Sequence, residues 1–380
     1  MKKVTVLGCG NWGSSIANLI ANDLDTAVFY DKIKLYTHEC IVNLSKDDIN
    51  KLNKVNASGV ITDNKMKLST MINDYHLNLK YLPDIILHQN IMAVTKFEDL
   101  SDTDILIICL PHQFLSTLVD LFKFIKNKDE LVMVNLAKGL IFEDSKIYTP
   151  AEYIYKLTNK YCSTLQGANI ASEISVNVVS ETVIGYHDEF EIEIYDKLFS
   201  KRYFMVEYVK FTPTIEIFGA VKNVVALAYG IIVGAINENR LTNDIKYGTN
   251  TEVIILRRGI NEILELIENE GFKDGQKMFF KSCGISDLFV TCMKGRNFKC
   301  GKLVASQKRE FFSDKSNKIE DFATFLENKF NGQKIQGLDT VKTLYAYLKI
   351  KNEHNKYLLI KMVYEILYET EDLSPLYEYI

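Results

Sequence analysis

The stretch KVTVLGCGNWGSSIANLIAND, residues 3–23, decides the fold. It opens with Val4, Val6 and Leu7 in a short β-branched and apolar run. It closes with Ile16, Leu19 and Ile20 at helical spacing. Between them stands GCGNWG, residues 8–13. G-x-G-x-x-G is weak on its own and gains weight when it joins a strand to a helix, as here. Gly8 permits the tight turn, Gly10 lets the backbone approach a pyrophosphate, and Gly13 lets the helix pack close to the strand. The free N–H groups and dipole at the helix start then face the phosphates. A dinucleotide is the expected ligand of this turn.

More strands follow outward from it. KIKLYTHE (32–39) reads as the second strand, with Glu39 just past it. An acidic side chain there accepts the adenine-ribose hydroxyls and repels a 2′-phosphate, which favours NAD over NADP. The same residue also reads as a solvated surface glutamate. NIMAVTKF (90–97), DILIICLP (104–111) and ELVMVNLAKGL (130–140) read as further strands. The continuous apolar run in the second of these suits a sheet covered on both faces. HQFLSTLVDLFKFI (112–125) reads as an amphipathic helix with Phe114, Leu115, Leu118, Leu121 and Phe122 on one side. Alternating strands and helices imply an α/β fold, a Rossmann-like, doubly wound parallel sheet. Ligands bind beyond the carboxyl ends of such strands, where Pro111 and Lys138 fall. A polar segment, about 41–80, reads as a surface insertion, partly helical.

From Phe211 onward helical patterns dominate. TPTIEIFGAVKNVVALAYGIIVGAI (212–236) reads as a helix with Pro213 near its start, where a missing N–H costs nothing. TNTEVIILRRGINEILELIENEG (249–271) is another, with Gly271 as C-terminal cap. KIQGLDTVKTLYAYLKI (334–350) and NKYLLIKMVYEILYE (355–369) follow, and QKREFFSDKSNKIEDF (307–322) reads as a surface excursion. The expected division is 1–210 for the nucleotide-binding domain and 211–380 for an all-helical domain. With 380 residues, two domains are the natural expectation.

Hydrophobic residues make up 47% and charged residues 25%, and the formal net charge is −4, so nucleic-acid binding is not the first reading. Seven cysteines at irregular spacing argue against a disulfide framework and for a reducing, cytoplasmic setting. No HExxH motif appears, and no metal site is expected. Charges or polar groups interrupt every long apolar run, so no membrane span is expected.

Lys222 and Asn223 sit side by side inside the apolar run 218–235. An uncompensated buried charge costs several kcal/mol, so the lysine either reaches water or serves something nearby. Lys138, at the end of a buried strand, poses the same choice. Asp287 reads either as a partner of such cations or as a helix cap. Arg296, in KGRNFK, offers a guanidinium suited to a phosphate by paired hydrogen bonds, and also reads as part of a generic basic loop.

GCGNWGSSIA, CLPHQF, AKGL, GANIASE, GAVKNVVALAYG, SCGISDLFVTC, GRN and NGQKIQG occur in this order along the chain. The series resembles NAD-dependent glycerol-3-phosphate dehydrogenase of the eukaryotic cytosolic type, over nearly the whole sequence. The resemblance implies reversible reduction of dihydroxyacetone phosphate to sn-glycerol 3-phosphate with NADH, by a homodimer. It implies catalytic roles for Lys222, Lys138 and Asp287. It places Lys138, Asn169, Asn223, Thr291, Arg296 and Asn297 around the substrate, with Arg296 and Asn297 at its phosphate. It assigns Gly8, Cys9, Gly10, Asn11, Trp12, Gly13, Glu39, Pro111, Phe114, Ala171, Arg296, Lys334 and Gln336 to the cofactor. Departures are His38 in place of an expected aromatic neighbour of the adenine, a longer insertion after the second strand, a longer stretch before NGQKIQG, and QGLDT without a proline. Two alternatives remain at this point. One is a related two-domain dehydrogenase of another substrate, and the other is an inactive dinucleotide-binding sensor.

Overall fold

The computed structural model describes residues 1–55, 61–238, 247–330 and 334–380. The chain falls into two compact units. The first holds residues 1–137, 151–165 and 169–211; the second holds 138–150, 166–168 and 212–380. The chain therefore crosses between units more than once, where the sequence suggested a single cut after residue 210.

The first unit is built on eight strands: β1 (Lys2–Leu7), β2 (Phe29–Tyr36), β3 (Ile91–Val94), β4 (Ile105–Ile108), β5 (Val132–Asn135), β6 (Ser163–Gln166), β7 (Ser180–Tyr186) and β8 (Phe204–Lys210). Their order across the sheet is β8-β7-β6-β5-β4-β1-β2-β3. The pairs β1–β2, β2–β3, β1–β4, β4–β5, β5–β6 and β7–β8 are parallel. β4 and β5 are buried along their whole length, as their unbroken apolar runs require. Strand order reverses at β1, which lies between β2 and β4, so the crevice for a ligand opens at the carboxyl ends of β1 and β4. The glycine-rich turn sits there.

Two sequence expectations change in this unit. Residues 112–125 do not form one amphipathic helix. They form a 3₁₀ turn (His112–Thr117) and one short α-turn (Leu118–Leu121). Leu115, Leu118, Leu121 and Phe122 are buried, but Phe114 is 56% exposed, because the tighter turn rotates it off the apolar side. The polar segment near 41–80 is more than a surface insertion. It contains a helix (Lys46–Val55), two antiparallel strand pairs and α2 (Leu68–Tyr75). Here α1 is Asn11–Ala21. Leu52, Leu68, Met71 and Ile72 join the core beside Ile16 and Ile20. Asn73 accepts from Ala93 N at 2.7 Å and donates to Ala93 O at 3.1 Å. One amide side chain thereby satisfies backbone groups on edge strand β3, which limits pairing of that edge.

The second unit centres on α3 (Pro213–Asn237), which starts with Thr212 as a side-chain cap and Pro213 in its first turn. Its length and the mean hydropathy of 1.8 over its apolar window would suit a membrane, but 89% of that window is buried within the protein, as for a core helix. Around it lie α4 (Thr249–Asn269), α5 (Asp287–Lys294), α6 (Arg296–Phe311), α7 (Ile319–Asn328), α8 (Gln336–Ile350) and α9 (Leu358–Tyr368). Gly271 has φ +89 just beyond α4 and its N–H bonds Glu268 O, which ends the helix as expected. α3 and α6 meet backbone to backbone. A Cβ on Gly230 would lie 2.3 Å from Phe298 O, and one on Gly301 would lie 2.3 Å from Leu227 O. This close approach carries the start of α6 against the middle of α3.

The run 307–322 is only partly a surface excursion, since residues 313–316 are exposed. It finishes α6 and begins α7, and Phe311, Phe322 and Leu326 are buried. Lys308 is only 1% exposed. Its Nζ donates to the Ile366 carbonyl in the last turn of α9 and stands over the Phe312 and Phe322 rings. Burial lowers its pKa from 10.5 to about 7, against the pull of Asp372 and Glu371. The unfolded chain therefore binds more protons than the folded one between about pH 7 and 10.5. This group contributes a rise in stability with pH through that window, and its full penalty applies below it. Lys308→Met is expected to flatten the slope of unfolding free energy by up to about 1.4 kcal/mol per pH unit. Urea titrations of both proteins at pH 7, 8 and 9 check this; parallel slopes would show Lys308 titrating normally.

Candidate active site

Three glycines shape the turn at residues 8–13. Gly8 has φ +116, and a Cβ there would meet Cys109 O at 3.0 Å. A Cβ on Gly13 would lie 1.9 Å from Gly8 O, so α1 packs directly on the turn. A Cβ on Gly10 would meet nothing within 4 Å, which leaves its face open for a pyrophosphate. No side chain caps α1, so the N–H groups of its first turn remain for a ligand. This cradle fits a dinucleotide.

The turn is braced by a residue that the sequence reading missed. Asn78 is fully buried, and its Nδ2 donates to Cys9 O and to Ser14 Oγ, both at 2.9 Å. Ser14 Oγ in turn donates to Cys9 O at 2.9 Å. Ala171, at the start of a short helix, accepts from Ser15 Oγ at 3.0 Å. Pro111 precedes the 3₁₀ turn that exposes Phe114. The Glu39 carboxylate is held at the start of α2: Ser69 N donates to it at 3.3 Å and Ser69 Oγ at 2.5 Å. It is therefore not a freely solvated glutamate, and each oxygen keeps capacity for a further donor. Asn169 also lies in this unit, where its amide donates to Ser180 Oγ at 3.2 Å and Glu181 O at 3.0 Å.

The second unit brings together Lys138, Lys222 and Asp287. Asp287 is the first residue of α5 and follows a wide π-turn, Ser282–Ser286. It makes no cap bond to its helix. One carboxylate oxygen pairs with Lys222 Nζ and the other takes Lys138 Nζ at 2.8 Å. Lys138 also donates to Gly167 O at 3.4 Å. Lys222 is 3% exposed and does not reach water. Its pKa is lowered from 10.5 to about 7: burial dominates, Asp287 opposes it, and the Lys138 charge adds to it. The nearby Cys292 thiol is pushed up to about 12 by burial, so it stays neutral beside the amine. A buried amine that titrates near neutrality can both give and take a proton.

Asn223 and Asn297 are buried and bonded to each other at 2.7 Å. Arg296 begins α6 with an exposed side chain. Thr291, one turn beyond Asp287, donates its hydroxyl to Asp287 O at 2.6 Å. Gln336 opens α8. Lys334 pairs with Glu327 at 2.8 Å and is committed to the end of α7. Asn331 to Gln333 of the NGQKIQG motif lie outside the described residues. The sequence reading also missed two residues of this unit. Gln166, at the end of β6, is buried beside Gly219, one turn before Lys222. Ser282 accepts from Ala168 N at 3.3 Å. Among the described residues, no group of three or more His, Cys, Asp or Glu side chains could hold a metal ion.

Comparison with known proteins identifies a family. The profile described as NAD-dependent glycerol-3-phosphate dehydrogenase N-terminus matches residues 3–191, and that for the C-terminus matches residues 212–378. The chain is 32% identical over 378 residues to the cytoplasmic glycerol-3-phosphate dehydrogenase [NAD(+)] of Homo sapiens, covering 98% of this chain and 95% of that protein. It is 32% identical over 350 residues to a chloroplastic form from Arabidopsis thaliana, covering 91% and 78%. Among solved structures, the Plasmodium falciparum enzyme superposes with a TM-score of 0.81 at 28% identity, over 100% of this chain and 95% of that one. The GPD1 structure from yeast gives 0.77 at 28%, over 100% and 99%.

Proposed function

The chain belongs to the NAD-dependent glycerol-3-phosphate dehydrogenase family, and from that premise we propose how its residues divide the reaction. The reaction is the reversible reduction of dihydroxyacetone phosphate to sn-glycerol 3-phosphate, with NADH as cofactor. The observation that carries the division is that one buried carboxylate, that of Asp287, pairs with both Lys138 and Lys222.

Bound NADH supplies the hydride. As the ketone gains it, negative charge builds on the carbonyl oxygen. The Lys222 ammonium stabilises that charge and delivers the proton; in reverse, the neutral amine takes the proton from the alcohol. Its lowered pKa suits both directions. Asp287 fixes the position of Lys222 Nζ, and Lys138 offsets the carboxylate's charge so that it does not hold the proton too tightly. Arg296 holds the substrate phosphate, and Asn223 and Asn297 add amide N–H donors to it. Gly8–Gly13 cradle the pyrophosphate. Glu39, held by Ser69, disfavours a 2′-phosphate by its charge. The free thiols of all seven cysteines support a reducing compartment, and homodimerisation belongs to the same reading.

The test is NADH oxidation with dihydroxyacetone phosphate, repeated with NADPH and with unphosphorylated dihydroxyacetone. Rapid oxidation is expected only for NADH with the phosphorylated ketone. Equal rates with NADPH would remove Glu39 from cofactor choice, and equal efficiency on dihydroxyacetone would remove the anion site.

A further inference from the structure

Asn223 and Asn297 belong to a hydrogen-bonded chain whose direction is fixed at both ends. Asn223 Nδ2 donates to Gly219 O at 3.2 Å, Asn297 Nδ2 donates to Asn223 Oδ1 at 2.7 Å, and Gly337 N donates to Asn297 Oδ1 at 2.9 Å. The first link ends on a main-chain carbonyl, which can only accept. The last begins on a main-chain N–H, which can only donate. Flipping either amide would set donor against donor or acceptor against acceptor. An asparagine amide has two N–H donors and one oxygen. Each of these two uses its oxygen and one N–H within the chain, and each keeps one N–H that meets no acceptor among the described residues. Both side chains are buried, where an unmet donor is costly. The pair therefore offers donors, not carbonyl oxygens, beside Arg296.

We propose that Gly337 is a positioning residue for the substrate phosphate: its N–H orients Asn297, and through it Asn223, so that both present N–H groups to the anion. This rests on the reading of Arg296 and Asn297 as the phosphate site. Gly337 is the second residue of α8, in the turn whose N–H groups have no partner within the helix, so its donor is free for this task. The residue must lack a side chain. A Cβ at 337 would lie 2.6 Å from Leu227 Cδ1, 2.8 Å from Asn223 O and 2.8 Å from Asn297 Oδ1. Two of those three atoms belong to the oriented asparagines.

Gly337→Ala tests the proposal. The KM for dihydroxyacetone phosphate and the inhibition constant of inorganic phosphate are expected to rise together by roughly tenfold, with kcat within about threefold of wild type. NADH affinity by fluorescence titration and kcat/KM for unphosphorylated dihydroxyacetone are expected to stay unchanged. Leu227→Val added to Gly337→Ala should not restore the KM. Restoration would show simple crowding against Leu227 and overturn the proposal, as would an unchanged KM or a parallel loss on dihydroxyacetone. Should Gly337→Ala fail to melt cooperatively, Asn297→Asp against Asn297→Leu decides. The carboxylate still accepts from Gly337 but turns an oxygen toward the phosphate, so Asp is expected to be worse than Leu by the KM; Asp equal or better would overturn the oriented chain. An Arg296→Ala variant with unchanged KM would instead overturn the phosphate site itself, so the two failures are distinguishable.

Discussion

Replacing Lys222 with alanine is expected to lower kcat by about 10³-fold or more while NADH still binds. General acid–base transfer contributes roughly 10²–10⁴-fold, and a charge aimed at a developing oxyanion contributes on a similar scale. Lys222→Ala removes both. Lys222→Arg should not restore turnover, because a guanidinium does not release its proton near neutrality. The protein should survive the change. Asp287 keeps Lys138 at 2.8 Å, so the loss is smaller than the roughly 3–5 kcal/mol of a buried charge left wholly unpaired. The pH dependence follows from the lowered pKa of about 7. Ketone reduction needs the ammonium, so its kcat should fall as pH rises through that value; alcohol oxidation needs the free amine, so its kcat should rise. Steady-state rates in both directions, with NADH binding and thermal melts as controls, check this. Wild-type turnover by Lys222→Ala would remove the lysine from the chemistry.

Much of this site was legible in the sequence because its signals are local. The turn at 8–13 announces itself by glycines between a strand and a helix, and the structure puts it at the reversal of strand order. Lys222 stood out because a charge in an apolar helix demands a partner. Asp287 was offered as its partner, but only beside the reading of a helix cap. Lys138 lies 149 positions from Asp287, and no periodicity connects them. The same limit hid Asn78. It sits at the edge of a segment polar enough to read as solvated, yet reaches 69 positions back to Cys9. Lys308 failed for the opposite reason. The run around it has surface composition, and only the packing of α7 and α9 buries it. Glu39 was singled out by position and charge, but its hold by Ser69 depends on how the insertion folds back. Composition reports average exposure, whereas individual buried polar groups are set by tertiary contacts.

Replacing Arg296 with alanine is expected to raise the KM for dihydroxyacetone phosphate by about 10²-fold or more. Two charge-assisted hydrogen bonds at roughly 1.5–3 kcal/mol each correspond to about 3–6 kcal/mol, and each 1.4 kcal/mol is tenfold. Thermal melts control for stability; Arg296 is the first residue of α6, where alanine is a good helix former. Arg296→Lys should recover only part of the loss, since an ammonium cannot form the paired bonds of a guanidinium. Where the binding energy goes decides more than its size. If the phosphate only anchors the substrate, kcat is untouched and KM carries the whole effect. If the anchor also aligns the carbonyl with Lys222, kcat falls as well, because remote binding energy is then realised in the transition state. Arg296 begins the helix whose second residue, Asn297, bonds Asn223 next to Lys222. That short connection favours the second outcome: a fall of several-fold in kcat on top of the KM change. Initial rates over a wide range of substrate concentration separate the two, and an unchanged KM would exclude Arg296 from the phosphate site.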